Sequence, residues 1–115
     1  MNSVNEFFAA TGSDRNRMVV CADGFSMSVQ ANRTAYCTPR ISDAQKYTHV
    51  EIGFPSEEED LIMHWCDEPQ NPTETVYGYV PVQVVTNVLA KHGGIVEGQI
   101  PRGVAPIPAK FTADI

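Results

Sequence analysis

Two tyrosines, an asparagine and two arginines have types and spacings that suit ligand binding. Tyr77 and Tyr79 alternate along a segment that favours a β-strand, so the sequence predicts both rings on one face. Asn87 lies ten residues after Tyr77, in a segment with a helical pattern. A ring can stack on a base and an amide can read its edge, while Arg40 or Arg102 can pair with phosphate oxygens. The set suits a nucleotide-like ligand, although aromatic residues on strands more often belong to the core.

His64, Trp65 and Cys66 form a second cluster with chemical potential. Their spacing matches no zinc-binding pattern, and a place at the end of a helix explains them without a metal. A cysteine nucleophile needs an activated thiolate and a nearby base, and no spacing in the sequence indicates such a pair. We therefore predict no catalytic residue, no metal site and no cofactor. One enzymatic alternative stays open, in which Glu51 or His49 performs acid–base chemistry on a nucleotide.

Composition predicts a single globular domain. The chain has 115 residues, of which 43% are hydrophobic and 19% charged, enough to fold around one core without disulfides. Its three cysteines are widely spaced and form no C-x-x-C pair, which indicates reduced, intracellular thiols. No apolar run approaches the roughly 20 residues of a membrane span, and no secretion signal is recognisable. We expect a cytoplasmic protein with no membrane partner.

Charge is unevenly distributed along the chain. The net charge is −6, and seven of the 14 acidic residues lie between positions 55 and 75, where there is no Lys or Arg. The remainder of the chain is close to neutral, so a small anionic ligand is compatible with it. Duplex nucleic acid is not expected, because it needs a broad basic face. A solvated helix start explains the acidic run at 57–60, although such a run could also bind a cation or imitate nucleic-acid phosphates.

Four strands and two helices follow from the pattern of apolar residues. The strands are predicted at 18–22, 25–31, 47–54 and 75–80, with a two-residue hairpin turn at Asp23-Gly24. The residues expected to face one side are Phe25, Met27, Val29 and Ala31 in the second strand, and Thr48, Val50, Ile52 and Phe54 in the third. The predicted class is α+β, a small antiparallel sheet with two helices and an extended C-terminal tail.

Capping residues mark both helices. Ser56 is a candidate N-cap for the first, with Glu59 completing a Ser-x-x-Glu capping box. Pro81 suits the first position of the second helix, and Gly93 suits its left-handed C-terminal cap. Apolar residues at 82, 85, 88 and 89 form the buried stripe of this second helix.

The chain divides into an N-terminal extension, residues 1–17, and one domain, residues 18–115. From about residue 95 the chain carries several prolines among apolar residues, so the tail is predicted to be extended. An apolar extended tail is expected to pack against a neighbouring molecule rather than lie in water.

Five segments together resemble a family of small phage proteins. They are D-G-F-S-M-S-V-Q-A at 23–31, Y-C-T-P-R at 36–40, V-E-I-G-F-P-S at 50–56, T-V-Y-G-Y-V-P at 75–81 and K-H-G-G at 91–94. The sequence resembles the Thoeris anti-defence family of cyclic-nucleotide sponges, over residues 18 to about 102. The resemblance implies a non-catalytic protein of the infected bacterial cytoplasm that captures glycocyclic ADP-ribose and keeps it from its effector. It also implies a homo-oligomer, a dimer or hexamer, and a separate site for cyclic trinucleotides.

The resemblance carries a specific pocket. In the family it uses an aromatic residue, an asparagine about ten residues later, and arginines from both ends of the chain. Tyr77, Asn87, Arg40 and Arg102 match these positions. Tyrosine replaces the expected phenylalanine, and Lys110 is the only base after Arg102, where a further arginine is expected. The leading alternative is a phage inhibitor or adaptor that binds a host protein through its acidic segment or its apolar tail.

Overall fold

A computed structural model describes residues 15–109 of the chain. Five antiparallel strands form one sheet in the order β4-β3-β2-β1-β5. The strands are β1 Val19–Cys21, β2 Ser26–Gln30, β3 His49–Gly53, β4 Val76–Pro81 and β5 Ile95–Glu97. A 3-10 helix, Asp60–Trp65, precedes β4, and one α-helix, α1, spans Val82–Lys91. The predicted α+β class, with a small antiparallel sheet and two helices, is confirmed.

A tight turn joins β1 to β2 at the predicted Asp23-Gly24 position. The Cys21 amide donates to the Phe25 carbonyl at 2.8 Å, and the Gly24 amide donates to the Cys21 carbonyl at 2.9 Å. The loop between the paired residues is therefore 22–24, one residue longer than predicted. Gly24 has a φ of +95°, and a glycine in this position is typical of three-residue hairpins.

The hydrophobic core joins the sheet to both helices. All four residues predicted to point inward from the second strand segment are buried, at no more than 3% exposure: Phe25, Met27, Val29 and Ala31. The 3-10 helix contributes Ile62, and α1 contributes Val85, Val88 and Leu89. The predicted stripe of α1 is confirmed at these three positions, while Val82 is half-buried. No helix within residues 15–109 is long and apolar enough to cross a membrane.

The other face of β2 is also covered. Ser28 and Gln30, expected on the less apolar side, are each 5% exposed. The Asn16 amide donates to Gln30 Oε1 at 2.7 Å, and Asn16 Nδ2 donates to the Val29 carbonyl at 3.1 Å. Asn16 falls in the segment predicted as an extension, yet it contacts the sheet directly. Residues 1–14 of that extension lie outside the described residues.

The third strand departs from its prediction at both ends. Val50 and Ile52 are buried as expected, but Thr48 and Phe54 are exposed, and the strand covers only His49–Gly53. Phe54 has a φ of +50°, which takes it out of strand geometry, so its side chain does not continue the alternation. Tyr47 is buried instead, and its hydroxyl donates to the Ile41 carbonyl at 2.7 Å.

The prediction of a capping box at Ser56 is wrong. The 3-10 helix begins at Asp60, and its N-cap is Glu59, whose carboxylate accepts from the Leu61 amide at 2.8 Å. Ser56 instead accepts a hydrogen bond from the Ser26 amide at 3.0 Å. The Glu59 carboxylate is buried, where it contacts Lys91 and His92. It is therefore not available to the Ser56 amide.

The ends of α1 lie close to their predicted positions. Pro81 is the last residue of β4 and the N-cap of α1. The prediction placed Pro81 one position later, as the first helical residue. Gly93 has a φ of +88° and donates from its amide to the Ala90 carbonyl at 3.2 Å, which confirms its predicted role at the C-terminus.

The tail is extended, but part of it is a strand that the sequence did not indicate. Ile95–Glu97 forms β5, which pairs with β1 at the edge of the sheet. Ile100 and Val104 are buried in the core. The expectation that the apolar tail packs against a neighbouring molecule is wrong for these residues, because they pack within their own chain. Residues 110–115 lie outside the described part.

Candidate functional site

A bulge in β4 places its two tyrosines in different surroundings. Val50 pairs with Val80 while Ile52 pairs with Tyr77, so β4 holds one more residue between these pairs than β3 does. Tyr79 lies within the bulge and has a φ of +56°. As a result Tyr77 is 0% exposed and Tyr79 is 45% exposed. The prediction that both rings share one face is wrong, because it assumed unbroken alternation.

Tyr77 is a core residue. Its hydroxyl donates to the Pro72 carbonyl at 2.6 Å and lies 3.9 Å from the Met63 sulfur. Burial, followed by a hydrogen bond with the Cys66 thiol, strongly raises the pKa of this hydroxyl. The ring therefore has no exposed face on which a base could stack.

Asn87 and Arg102 lie on the surface with partners of their own. Asn87 accepts a hydrogen bond from Gln83 Nε2 at 3.1 Å along the exposed side of α1. Arg102 Nη1 donates to the Asp43 carboxylate at 2.9 Å and to the Ala44 carbonyl at 3.2 Å. Within residues 15–109, no hydrogen bond, ion pair or ring contact joins any two of the four predicted binding residues.

Arg40 is the predicted residue that meets an exposed aromatic ring. Its guanidinium carbon lies 5.1 Å from the centroid of the Tyr36 ring, a cation–π distance. The Tyr36 and Tyr79 centroids are 5.9 Å apart, with ring planes at 39°. Both tyrosines are 45% exposed. The structure thus assembles two accessible rings and one cation.

Local backbone contacts hold these rings together. The Tyr79 amide donates to the Tyr36 carbonyl at 3.0 Å, which ties the bulge to the loop before β3. A Cβ on Gly78 would lie 3.2 Å from the Tyr36 Cβ, closer than most real contacts. Arg40 is steadied by a hydrogen bond from Nη2 to the Thr34 carbonyl at 3.3 Å. Glycine at position 78 therefore lets Tyr36 lie against β4.

These rings border a cleft of about 510 Å³, which we call the tyrosine cleft. Its lining includes Tyr36, Tyr79, His64, Trp65, Cys66 and Asp67. The 64–67 segment is anchored to β4 by a bridge between Cys66 and Tyr77 and by the Asp67 amide, which donates to the Val76 carbonyl at 3.0 Å. The cleft therefore has one wall on the bulge and one on the segment that follows the 3-10 helix.

Several polar groups of the tyrosine cleft have no partner among residues 15–109. Within the described part of the chain, no hydrogen bond or ion pair engages the Asp67 carboxylate, the Trp65 indole N–H or the Tyr79 hydroxyl. The His64 and Trp65 rings meet edge to face, with centroids 4.9 Å apart. A mainly aromatic cleft with a few convergent polar groups is typical of small-molecule sites.

The sequence indicated this cleft only in part. The sequence predicts Arg40, which lies beside Tyr36 but does not line the cleft, and it does not indicate Tyr36, four residues earlier, as the partner of Arg40. Gly78 between two tyrosines is a sign of a bulge or a close backbone approach, and it was available in the sequence. In the sequence, Trp65 falls on the apolar face of the predicted first helix, and Asp67 is a possible further ligand beside the His64-Trp65-Cys66 cluster. Residues 15–109 contain no group of three or more His, Cys, Asp or Glu side chains placed to hold a metal ion.

A separate cluster around the buried side chains of His92 and Glu59 connects three elements. His92 lies between two carboxylates, with Nδ1 2.6 Å from Asp23 Oδ2 and Nε2 2.6 Å from Glu59 Oε1. Lys91 donates to Glu59 Oε2 at 2.9 Å, and the His92 ring stacks on Phe25 at 4.0 Å. These contacts connect the end of α1 with the β1–β2 turn and the start of the 3-10 helix, so the cluster has a structural role.

The ionisable groups of this cluster shift one another's pKa values. Burial alone would lower the pKa of His92, but its hydrogen bonds with Glu59 and Asp23 outweigh burial and raise it. Burial alone would raise the pKa of Glu59, but hydrogen bonds from Lys91, the Leu61 amide and His92 lower it. Both ring nitrogens of a protonated His92 can therefore donate.

The two residues of the enzymatic alternative lie on β3. Burial raises the pKa of Glu51, an effect partly opposed by Arg15 and Arg40. His49 Nδ1 is 2.9 Å from the Thr48 hydroxyl. Neither residue lines the tyrosine cleft.

No family model, curated protein or solved structure matches this chain. What the protein binds must therefore be inferred from the tyrosine cleft and from the resemblance noted in the sequence.

Proposed function

We propose that this protein binds a nucleotide signal in the tyrosine cleft and withholds it without cleaving it. The observation that supports this most directly is the pair of exposed rings, Tyr36 and Tyr79, with the Arg40 guanidinium 5.1 Å from one of them. Aromatic rings stack on bases, and a guanidinium pairs with phosphate oxygens in a bidentate manner. A volume of 510 Å³ also falls within the usual range of small-ligand sites.

The resemblance to the anti-defence sponges names the first ligands to test. Glycocyclic ADP-ribose has a base and a diphosphate, and cyclic trinucleotides have several of each. In this proposal a base stacks on Tyr79 or Tyr36, and Arg40 turns from the Tyr36 ring toward a phosphate. Stacking moves from the expected Tyr77 to these exposed rings, since the Tyr77 ring is enclosed.

A homo-oligomer, a dimer or hexamer, is part of the proposal. The cleft opens to solvent along the edge of the sheet, so one chain would leave much of a dinucleotide uncovered. A second copy would supply the rest of the enclosure, and it offers the exposed Asn87 and Arg102 as further contacts. Sedimentation velocity of the full chain, with and without ligand, measures this directly. The site of action would be the cytoplasm of the infected cell, where the signal is made.

A second candidate is binding to a basic surface of a host protein through the acidic segment. Exposed carboxylates crowd this segment, and within residues 15–109 no ion pair engages Glu57, Glu58 or Asp60. Among the apolar tail residues, Ile100 and Val104 are buried within their own chain, so the acidic segment is the better supported surface for this alternative.

The decisive experiment is a calorimetric titration of the full chain with glycocyclic ADP-ribose and with cyclic trinucleotides. The bound ligand is then released by heat and identified by chromatography. Tyr79→Ala should weaken binding by roughly 5- to 100-fold, the usual value of one stacked base. Arg40→Ala should weaken it through the lost phosphate contact.

Matched variants distinguish the possible sites. Asn87→Ala leaves the cleft intact, so its effect reports whether a second copy contributes to the pocket. Neutralising positions 57, 58 and 60 should leave nucleotide binding unchanged, whereas it would abolish binding to a host protein. If no nucleotide produces heat or thermal stabilisation, the proposal is wrong. A chemically altered nucleotide after release would show an enzyme rather than a sponge.

A further inference from the structure

We infer that the tyrosine cleft selects a base with two adjacent N–H donors, as guanine has, over adenine. This inference rests on the proposed function and extends it to the class of base. It starts from Asp67, whose carboxylate is the only acidic side chain among the described residues that line the cleft.

The position of Asp67 is fixed by the fold. Its amide donates to the Val76 carbonyl at 3.0 Å, and Cys66 beside it forms a bridge with Tyr77. The segment is therefore fastened to the same strand that carries Tyr79. Its carboxylate has no hydrogen-bond or ion-pair partner within residues 15–109. An acceptor and an exposed ring thus line one cleft, and the acceptor is free for a ligand.

The chemistry of a carboxylate determines which base it prefers. A carboxylate has two acceptor oxygens and no donor. The N1–H and 2-amino groups of guanine donate in parallel and match both oxygens, as in the paired bonds between arginine and carboxylates. Adenine offers one amino group beside an unprotonated ring nitrogen, whose lone pair faces the second oxygen. Guanine therefore gains two hydrogen bonds where adenine gains one and meets repulsion.

Two charged groups also orient the ligand: Asp67, which lines the cleft, and Arg40, which lies beside the Tyr36 ring outside that lining. Asp67 repels a phosphate, while Arg40 attracts one. A nucleotide therefore binds with its phosphate toward Arg40 and its base edge toward Asp67. In this orientation the carboxylate reads the base and does not oppose the phosphate.

The test uses the fluorescence of Trp65, which is the one tryptophan of the chain and lines the cleft. The full chain is titrated with GMP, IMP and AMP at constant ionic strength. GMP should bind roughly 10- to 100-fold more tightly than AMP, the usual range for one well-formed bidentate contact. IMP should lie between them, because it keeps N1–H and lacks the 2-amino group.

Two variants distinguish hydrogen bonding between Asp67 and the base from a general effect of negative charge. Asp67→Asn replaces one acceptor with a donor, so it should weaken GMP by about 10-fold or more while AMP is unchanged or strengthened. Glu68→Gln removes a neighbouring exposed charge that does not line the cleft, and should leave the ratio of GMP to AMP affinity unchanged. Equal thermal unfolding of both variants and the natural chain shows that each is folded.

The outcomes separate this inference from the proposed function. Equal affinity for GMP and AMP, or a ratio that Asp67→Asn does not alter, overturns the guanine preference and leaves nucleotide binding standing. Tighter binding of choline than of any nucleotide would instead contradict the proposed function, since aromatic rings with a carboxylate attract organic cations. If GMP, AMP and the cyclic ligands all fail to bind, both conclusions are wrong.

Discussion

His92 and Glu59 face one another in the interior, with Nε2 2.6 Å from Oε1 and side-chain exposures of 6% and 1%. The other ring nitrogen lies 2.6 Å from Asp23 Oδ2. An imidazolium between two carboxylates satisfies all three groups; His92 and Glu59 would each be costly to bury alone, whereas the Asp23 side chain is 50% exposed. Residues far apart in the chain are thus joined by the His92 ring.

Stability should depend on pH in a specific direction. The raised pKa of His92 contributes stability that is full below its ordinary value of 6.5 and is lost as the pH rises through the folded value. The lowered pKa values of Glu59 and Asp23 contribute stability that is full above 4.5 and 3.8 and is lost as the pH falls through their folded values. The free energy of unfolding should therefore be greatest between pH 4.5 and 6.5. Urea unfolding across pH 3 to 10 measures it.

A His92→Gln variant is the control for that profile. It should be less stable than the natural chain by about 3–5 kcal/mol at mildly acidic pH, because it breaks a buried charged contact. Its stability should also fall less steeply above pH 6.5. If both proteins lose stability in parallel above pH 6.5, the loss of stability at high pH does not come from His92.

Two glycines with positive φ should respond differently to alanine. At Gly98 a Cβ would lie 2.4 Å from the Met18 carbonyl oxygen, and at Gly24 it would meet nothing within 4 Å. Gly24→Ala should cost roughly 1–2 kcal/mol, from the backbone conformation alone. Gly98→Ala should cost more than that, since β1 must also move. Chemical denaturation of the two variants gives the comparison, and equal losses would show that the contact with Met18 relaxes easily.

Binding should be sensitive to Gly78, although this glycine contacts no proposed phosphate or base edge. A Cβ there would lie 3.2 Å from the Tyr36 Cβ, so the ring must shift by a few tenths of an ångström. We expect Gly78→Ala to reduce nucleotide affinity several-fold with a loss of stability below about 1 kcal/mol. Calorimetry and thermal unfolding of the same sample check both values. Unchanged affinity would mean that the position of Tyr36 does not matter to the ligand.

The three thiols should differ in reactivity. Cys66 is half-buried and lines the tyrosine cleft, whereas Cys21 and Cys37 are buried. Burial, with the nearby Asp23 charge, raises the pKa of Cys21 to about 11, and burial raises that of Cys37, so both should react slowly. A colorimetric thiol reagent should titrate one thiol rapidly in the native protein and all three in urea. A bound nucleotide should slow the first reaction. Two or more rapid thiols in the native state would contradict this assignment.

The local pattern of residues predicted the regular elements of the fold. It failed where contacts between residues distant in the chain determine the structure. The alternation at 25–31 and the stripe of α1 were predicted correctly, since each follows one period along a single element. β5 has three residues and exists because β1 offers it an edge, which no local pattern reveals. Glu59 has the spacing of a capping residue, but His92 and Lys91, more than 30 positions away, take its carboxylate.

The binding residues illustrate the same limit. One additional residue in β4 reverses the side on which Tyr79 emerges, and it separates that tyrosine from Tyr77. The spacing of aromatic residues and amides therefore did not predict the cleft, because its exposed tyrosine rings lie on a loop and in a bulge. Arg40 is predicted from its ability to pair with phosphate oxygens, which depends on residue type and not on the fold.

The bulge in β4 also bears on how the protein can evolve. Neighbouring positions of one strand serve separate purposes: Tyr77 is buried in the core, while Tyr79 is exposed, so a change at Tyr79 alters the proposed ligand contact and not the interior. Ligand preference can drift by single substitutions at positions 36, 67 and 79 without a penalty in the interior. Deletion of one residue from the bulge would remove the backbone conformation that places Tyr79 beside Tyr36. Substitution should therefore be tolerated in this segment far more often than a change in its length.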